Sequence, residues 1–97
     1  MYDGKFCIVR CYGAGVFMAR VESLENQVAE LRDARRLWYW DGAASLSQLA
    51  MEGVKAPQNC KFTMTVPQLT VTQVLEVIPC TDEAVASIQK VPEWKRT

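Results

Sequence analysis

The stretch Ala34-Arg35-Arg36-Leu37-Trp38-Tyr39-Trp40-Asp41-Gly42-Ala43-Ala44-Ser45-Leu46 decides how this chain is read. Its first half reads as the end of a strand carrying three consecutive aromatics. Its second half is the small, polar entrance to a helix. The same residues carry candidate chemistry. Arginines hold phosphate in bidentate fashion, aromatic faces stack on bases, and the free N–H groups of a helix start attract anions. The plainer alternative is a strand whose aromatics face the core and whose arginines are solvated.

Working back towards the N-terminus, Lys5–Cys11 reads as a strand with Phe6 and Ile8 on one face and Cys7, Val9 and Cys11 on the other. Both faces are mostly apolar, so the strand should be central or covered on both sides. Tyr12-Gly13-Ala14-Gly15 is the turn, where glycine can take positive φ. Val16–Glu22 returns as the second strand. Ser23–Gln27 is polar and turn-like, and Val28–Trp40 forms a long third strand with a break expected near Asp33.

Working forward, Ser45-Leu46-Ser47-Gln48 matches a capping box, and Gly53 stands where a C-cap belongs. Lys55–Cys60 is a loop. Lys61–Val66 and Leu69–Ile78 are β-branched strands, which Pro67 is expected to separate. Thr81 caps a final helix with Asp82 and Glu83 in its first turn and Pro92 beyond its end. Trp94 is a large apolar side chain in a segment that would otherwise fray, so it should dock on its own core or on a second subunit. The expected order is β-β-β-α-β-β-α. This is a single α+β domain over residues 1–97, with a small, mostly antiparallel sheet and two short helices.

Composition narrows the function. The chain has 97 residues and a formal net charge of zero, which argues against a DNA-binding protein held by a general basic field. A small anion needs only a local pair of arginines. No apolar run approaches the ~20 residues of a membrane span, and Met1–Lys5 lacks a signal pattern, so the cytoplasm is the expected compartment. Cys7, Cys11, Cys60 and Cys80 then read as free thiols. Cys7 and Cys11 in particular, four apart on a strand, would lie ~13 Å apart.

The absence of CxxC and of histidine argues against zinc and removes His-dependent nucleophilic catalysis. Gly13-Ala14-Gly15 is not the dinucleotide fingerprint, and no other motif calls for a cofactor. The Gly13–Gly15 turn reads either as a plain hairpin loop or as a backbone brought close to a ligand, with Tyr12 and Phe17 beside it.

Four segments together resemble a family of short phage and prophage proteins, most without an assigned function. They are Gly4 through Arg10, Gly15-Val16-Phe17, Ala34 through Trp40 with Gly42-Ala43 and Leu46, and Glu76-Val77-Ile78-Pro79-Cys80-Thr81. That family is in turn similar to the Thoeris anti-defence sponges. The resemblance implies a non-catalytic protein in the host cytoplasm that sequesters a cyclic nucleotide signal, either a cyclic ADP-ribose isomer or a cyclic oligonucleotide. It implies a homo-oligomer, dimeric at least, with ligand at the interface.

The candidate ligand residues are Arg35 and Arg36 for phosphate, Tyr12, Phe17, Trp38 and Trp40 for stacking, and Gly15 and Ser45 for backbone or cap contacts. Strand alternation puts Arg35 and Arg36 on opposite faces, so one of them should be structural. Arg10 and Arg20 are second-rank candidates. The competing class is an interaction protein that binds a host or phage protein through the same aromatic and arginine surface. A third option is an enzyme that cleaves a nucleotide.

Overall fold

A computed structural model describes residues 2–96. It contains strands β1 (Phe6–Cys11), β2 (Gly15–Glu25), β3 (Val28–Tyr39), β4 (Lys61–Val71) and β5 (Val74–Pro79). Helix α1 (Leu46–Glu52) follows β3, and helix α2 (Asp82–Gln89) follows β5. The α+β class and the order β-β-β-α-β-β-α agree with the sequence reading. The strands form one antiparallel sheet in the order β4-β3-β2-β1-β5.

That order forces a bend. β4 and β5 lie at opposite edges, yet only Thr72 and Gln73 join them. Edge strands of a flat five-stranded sheet would stand about 19 Å apart, beyond the reach of so short a link. The hydrogen bonds show how the gap closes. Gln73 O accepts from Tyr12 N at 2.9 Å, and Val74 N donates to Gln27 O at 3.0 Å, so these neighbours touch both ends of β2. Straight, the 11 residues of β2 would span about 33 Å. The β2–β3 hairpin therefore folds over the sheet and encloses a core on the concave face.

Bulges make the bend possible. The β2–β3 register shifts between Met18 and Arg20 and again between Val21 and Ser23, and Asp33 takes φ 51° at the first of these. β3 thus kinks at Asp33 without breaking. Two boundaries differ from the sequence reading. β2 continues through Ser23 to Glu25, and only Asn26 and Gln27 turn, both at positive φ as a tight two-residue hairpin requires. Pro67 does not break a strand either. β4 runs through it because, with β3 as its neighbour on one side, its other flank does not need that N–H for the ladder. The true break is at Thr72–Gln73.

Each face of the sheet has its own core. Cys7, Val9, Cys11, Phe17, Ala19, Val21, Ala29, Leu31, Ala34, Val71 and Val74 fill the concave side. Ile8, Met18, Leu37 and Phe62 pack on the other side against Leu49 and Ala50 of α1 and Ile88 of α2. β1 is therefore covered on both faces, as its doubly apolar pattern indicated.

Ser45 caps α1 by accepting from Gln48 N at 3.1 Å, while Gln48 Oε1 accepts from Ala44 N at 2.7 Å. Thr81 caps α2. The Thr81 hydroxyl also donates to Met51 O at 2.6 Å, which ties the two helices together. Among the described residues, no helix is long and apolar enough to cross a membrane.

Candidate functional site

The bend gathers most of the candidate residues at one end of the sheet. Cys11 pairs with Gly15, Phe17 with Arg36, and Tyr39 with Lys61. The Tyr12–Ala14 loop, the start of β2, the end of β3 and the start of β4 therefore share one rim.

The adjacent arginines part completely. Arg35 is 5% exposed and turns to the helix side. Its Nε donates to Thr63 O at 2.7 Å, Nη1 to Ile88 O at 2.9 Å, and Nη2 to Val91 O at 2.6 Å and Phe62 O at 3.5 Å. Burial lowers its pKa, and the Glu93 carboxylate pulls the other way. The guanidinium nonetheless stays charged at any ordinary pH. It clamps the end of α2 to the β3–β4 ladder, where the carbonyl end of the helix favours a cation; Ile88 O also accepts from Val91 N at 3.1 Å. Arg35 is thus the structural arginine of the pair, with its donors committed inside the chain.

Arg36 is exposed and lies over the Phe17 ring, with its guanidinium carbon 4.7 Å from the ring centroid. Its own N–H donates to Thr63 Oγ1 at 3.2 Å. Arg10, Arg20 and Arg32 each pair with a carboxylate, of Glu76, Asp33 and Glu22 respectively. Among the described residues, no such partner is found for Arg36. Its charge still reaches Cys11, whose thiol pKa is raised by burial and lowered in part by Arg36. Arg36 lies in a shallow cleft of about 100 Å³ with Phe17, Ala34, Thr63, Met64, Val66 and Leu69.

Beyond Arg36 the β3–β4 register shifts between Leu37 and Tyr39, which makes Trp38 the extra residue of a bulge. Bulges re-aim side chains, and Trp38 stands 65% exposed. Its indole stacks on that of Trp94, with centroids 6.2 Å apart and planes at 13°. Lys61 Nζ lies over the Trp94 ring at 5.5 Å. Met64 and Tyr39 add further exposed apolar surface.

The remaining candidates divide. Tyr12 is exposed on the β1–β2 loop, and Gly15 opens β2 at φ 104°. Phe17 is buried beneath Arg36, so it supports that side chain and presents no open face. Trp40 packs, half-buried, on the helix-side core. Ser45 is the cap of a seven-residue helix, and the neighbouring Ala44 N–H is taken by Gln48. Of the second-rank pair, Arg10 is bound to Glu76 at 2.9 Å and Arg20 to Gly4 O at 2.6 Å.

Lys61 and Trp94 join the rim without having been assigned a ligand role from sequence. An isolated lysine gives no local signal. Trp94 did, as an aromatic with nothing near it in sequence to bury it.

This geometry defines a small α+β domain whose bent sheet displays a cationic and aromatic rim. The chain belongs to the family described as a domain of unknown function, DUF6948, which it matches over residues 4–88. No curated protein and no solved structure matches it.

Proposed function

We propose that this protein binds and holds a cyclic nucleotide second messenger of a bacterial immune system, a cyclic ADP-ribose isomer or a cyclic oligonucleotide, without cleaving it. The observation that carries the reading is Arg36. An exposed guanidinium with no carboxylate partner among the described residues, propped on Phe17 two residues from an exposed indole, suits a ligand with both a phosphate and a base. The absence of histidine from the sequence fits binding without turnover.

The Arg36 cleft, at about 100 Å³, is smaller than the ~300 Å³ at which ligand pockets begin. Enclosing a nucleotide therefore calls for a second copy of the chain, and the reading includes a homo-oligomer with ligand between subunits. Two such faces meeting would oppose like charges at Arg36 and Lys61, which an anionic ligand neutralises.

The test is native mass spectrometry against cyclic di- and trinucleotides and cyclic ADP-ribose isomers, followed by heat release and analysis of the ligand. The reading expects fixed stoichiometry and a ligand recovered unchanged. No binding across the panel, or a ligand recovered altered, overturns it.

A second reading follows from the exposed aromatics. Trp38 at 65%, Tyr39 at 52% and Met64 at 49% exposure offer the residue types of a protein-binding hot spot. In that case the panel stays unbound, and a host or phage protein protects the Trp38 face from solvent.

A further inference from the structure

We propose that Trp94 is a built-in, displaceable occupant of this site, carried on a strap formed by Pro92, Glu93 and Trp94. The inference rests on the binding reading above and adds its regulation. Trp94 occupies both partners that a nucleotide would need beyond Arg36. Its indole lies on Trp38, where a base would stack, and Lys61 rests over its ring instead of on a phosphate.

The attachment of the strap changes sharply at Pro92. Val91 is 2% exposed, and its carbonyl is gripped by Arg35 at 2.6 Å, so the chain is fixed up to that residue. Beyond it, the strap adds a single parallel bridge, Glu93 to Phe62, along the outer edge of β4. Trp94 N donates to Phe62 O at 2.8 Å, and that carbonyl also receives Arg35 at 3.5 Å. Glu93 acts electrostatically on Arg35 and pairs with its near neighbour Lys95 at 3.4 Å. Trp94 remains 47% exposed in the stack. One backbone hydrogen bond, one exposed indole stack, the Lys61 cation over the Trp94 ring and solvated charges each contribute little, whereas the residues before the hinge are buried and clamped. The strap therefore opens as a unit from Val91–Pro92 and leaves the sheet folded. Opening uncovers the Trp38 face and frees Lys61 together.

The experiment has two arms on the full chain. Native-state hydrogen exchange reads the strap without any ligand. The Trp94 amide is expected to exchange through local opening, much faster than the amides of buried Ile8 and Val9 in β1, which is paired on both sides. Exchange of Trp94 only with global unfolding overturns the inference. The second arm compares wild type with Trp94→Ala against the same cyclic dinucleotides and cyclic ADP-ribose isomers. Removing the competitor should tighten binding roughly 2- to 12-fold, the range set by one aromatic stack. Unchanged or weaker binding makes Trp94 a bystander or part of the clamp and overturns the inference. If neither protein binds any probe, the nucleotide reading fails by itself, and the exchange arm still decides whether the strap opens.

Discussion

Replacing Arg35 by methionine tests whether a buried cation locks the helix layer to the sheet. The substitution keeps the length and most of the volume of the side chain but removes every donor. The carbonyls of Thr63, Ile88 and Val91 lose partners at 2.7, 2.9 and 2.6 Å. Ile88 O keeps the bond it accepts from Val91 N at 3.1 Å, so it is not orphaned. Each hydrogen bond to a charged group contributes about 1.5–3 kcal/mol, and each buried carbonyl left without a donor costs about 1–3 kcal/mol.

Relief of the guanidinium's own desolvation offsets part of this, so the net loss should be roughly 3–5 kcal/mol. Domains of this size hold only about 5–15 kcal/mol, and Tm should fall by more than about 12 °C. Urea unfolding at constant m reads the change directly. Arg35→Lys should recover only part of it, because one ammonium cannot serve Thr63 and Val91 from both sides of the fork. An Arg35→Met protein within about 1 kcal/mol of wild type would refute the clamp.

Gly53 sits at φ 78°, and a Cβ there would collide with the Ser87 side chain. Gly53→Ala should therefore destabilise by roughly 2–4 kcal/mol in the same urea assay. Thr81→Ala removes a cap on Ala84 N at 3.1 Å and the bond to Met51 O, and about 1–2 kcal/mol of stability should go with it. Stability should also fall at alkaline pH. Burial pushes the Cys80 thiol up to about 12 and raises Cys7 and Cys11 as well, so the native chain keeps protons that the unfolded chain releases above about pH 9. Their contribution is complete below that pH and declines by up to about 1.4 kcal/mol per pH unit per thiol above it. Urea midpoints between about pH 8 and 10.5 should show this slope, and Cys80→Ala should flatten it.

Most of the strand and helix content was legible because it is local. Alternation on Lys5–Cys11 gave both faces of β1, and the caps at Ser45 and Thr81 gave the helix starts. The errors at Ser23 and Pro67 share a cause. Turn chemistry and proline were read as breaks, but pairing partners distant in sequence decided both. Ser23 is held by Glu30 across the hairpin, and Pro67 lies on an edge strand with a free flank. The bend was not legible at all, since it depends on Gln73–Val74 meeting both ends of β2. At the candidate site, alternation separated Arg35 from Arg36 but did not say which was buried. That choice was made by the carbonyls at the end of α2, which no pattern near Arg35 announces. Trp94 meets Trp38 only through the path of the chain along β4.

Arg36 is the side chain on which the proposed binding of an anion depends, and comparing it with alanine at the same position puts that to the test. Titration calorimetry of wild type and Arg36→Ala against cyclic dinucleotides and cyclic ADP-ribose isomers reads affinity, with urea unfolding of both proteins alongside. Arg36→Ala should weaken binding at least ~10-fold while changing stability by less than about 1 kcal/mol, since its guanidinium is exposed and, among the described residues, paired with no carboxylate. Equal affinity in the two proteins would contradict this, and the anion would then have to be held elsewhere on the chain.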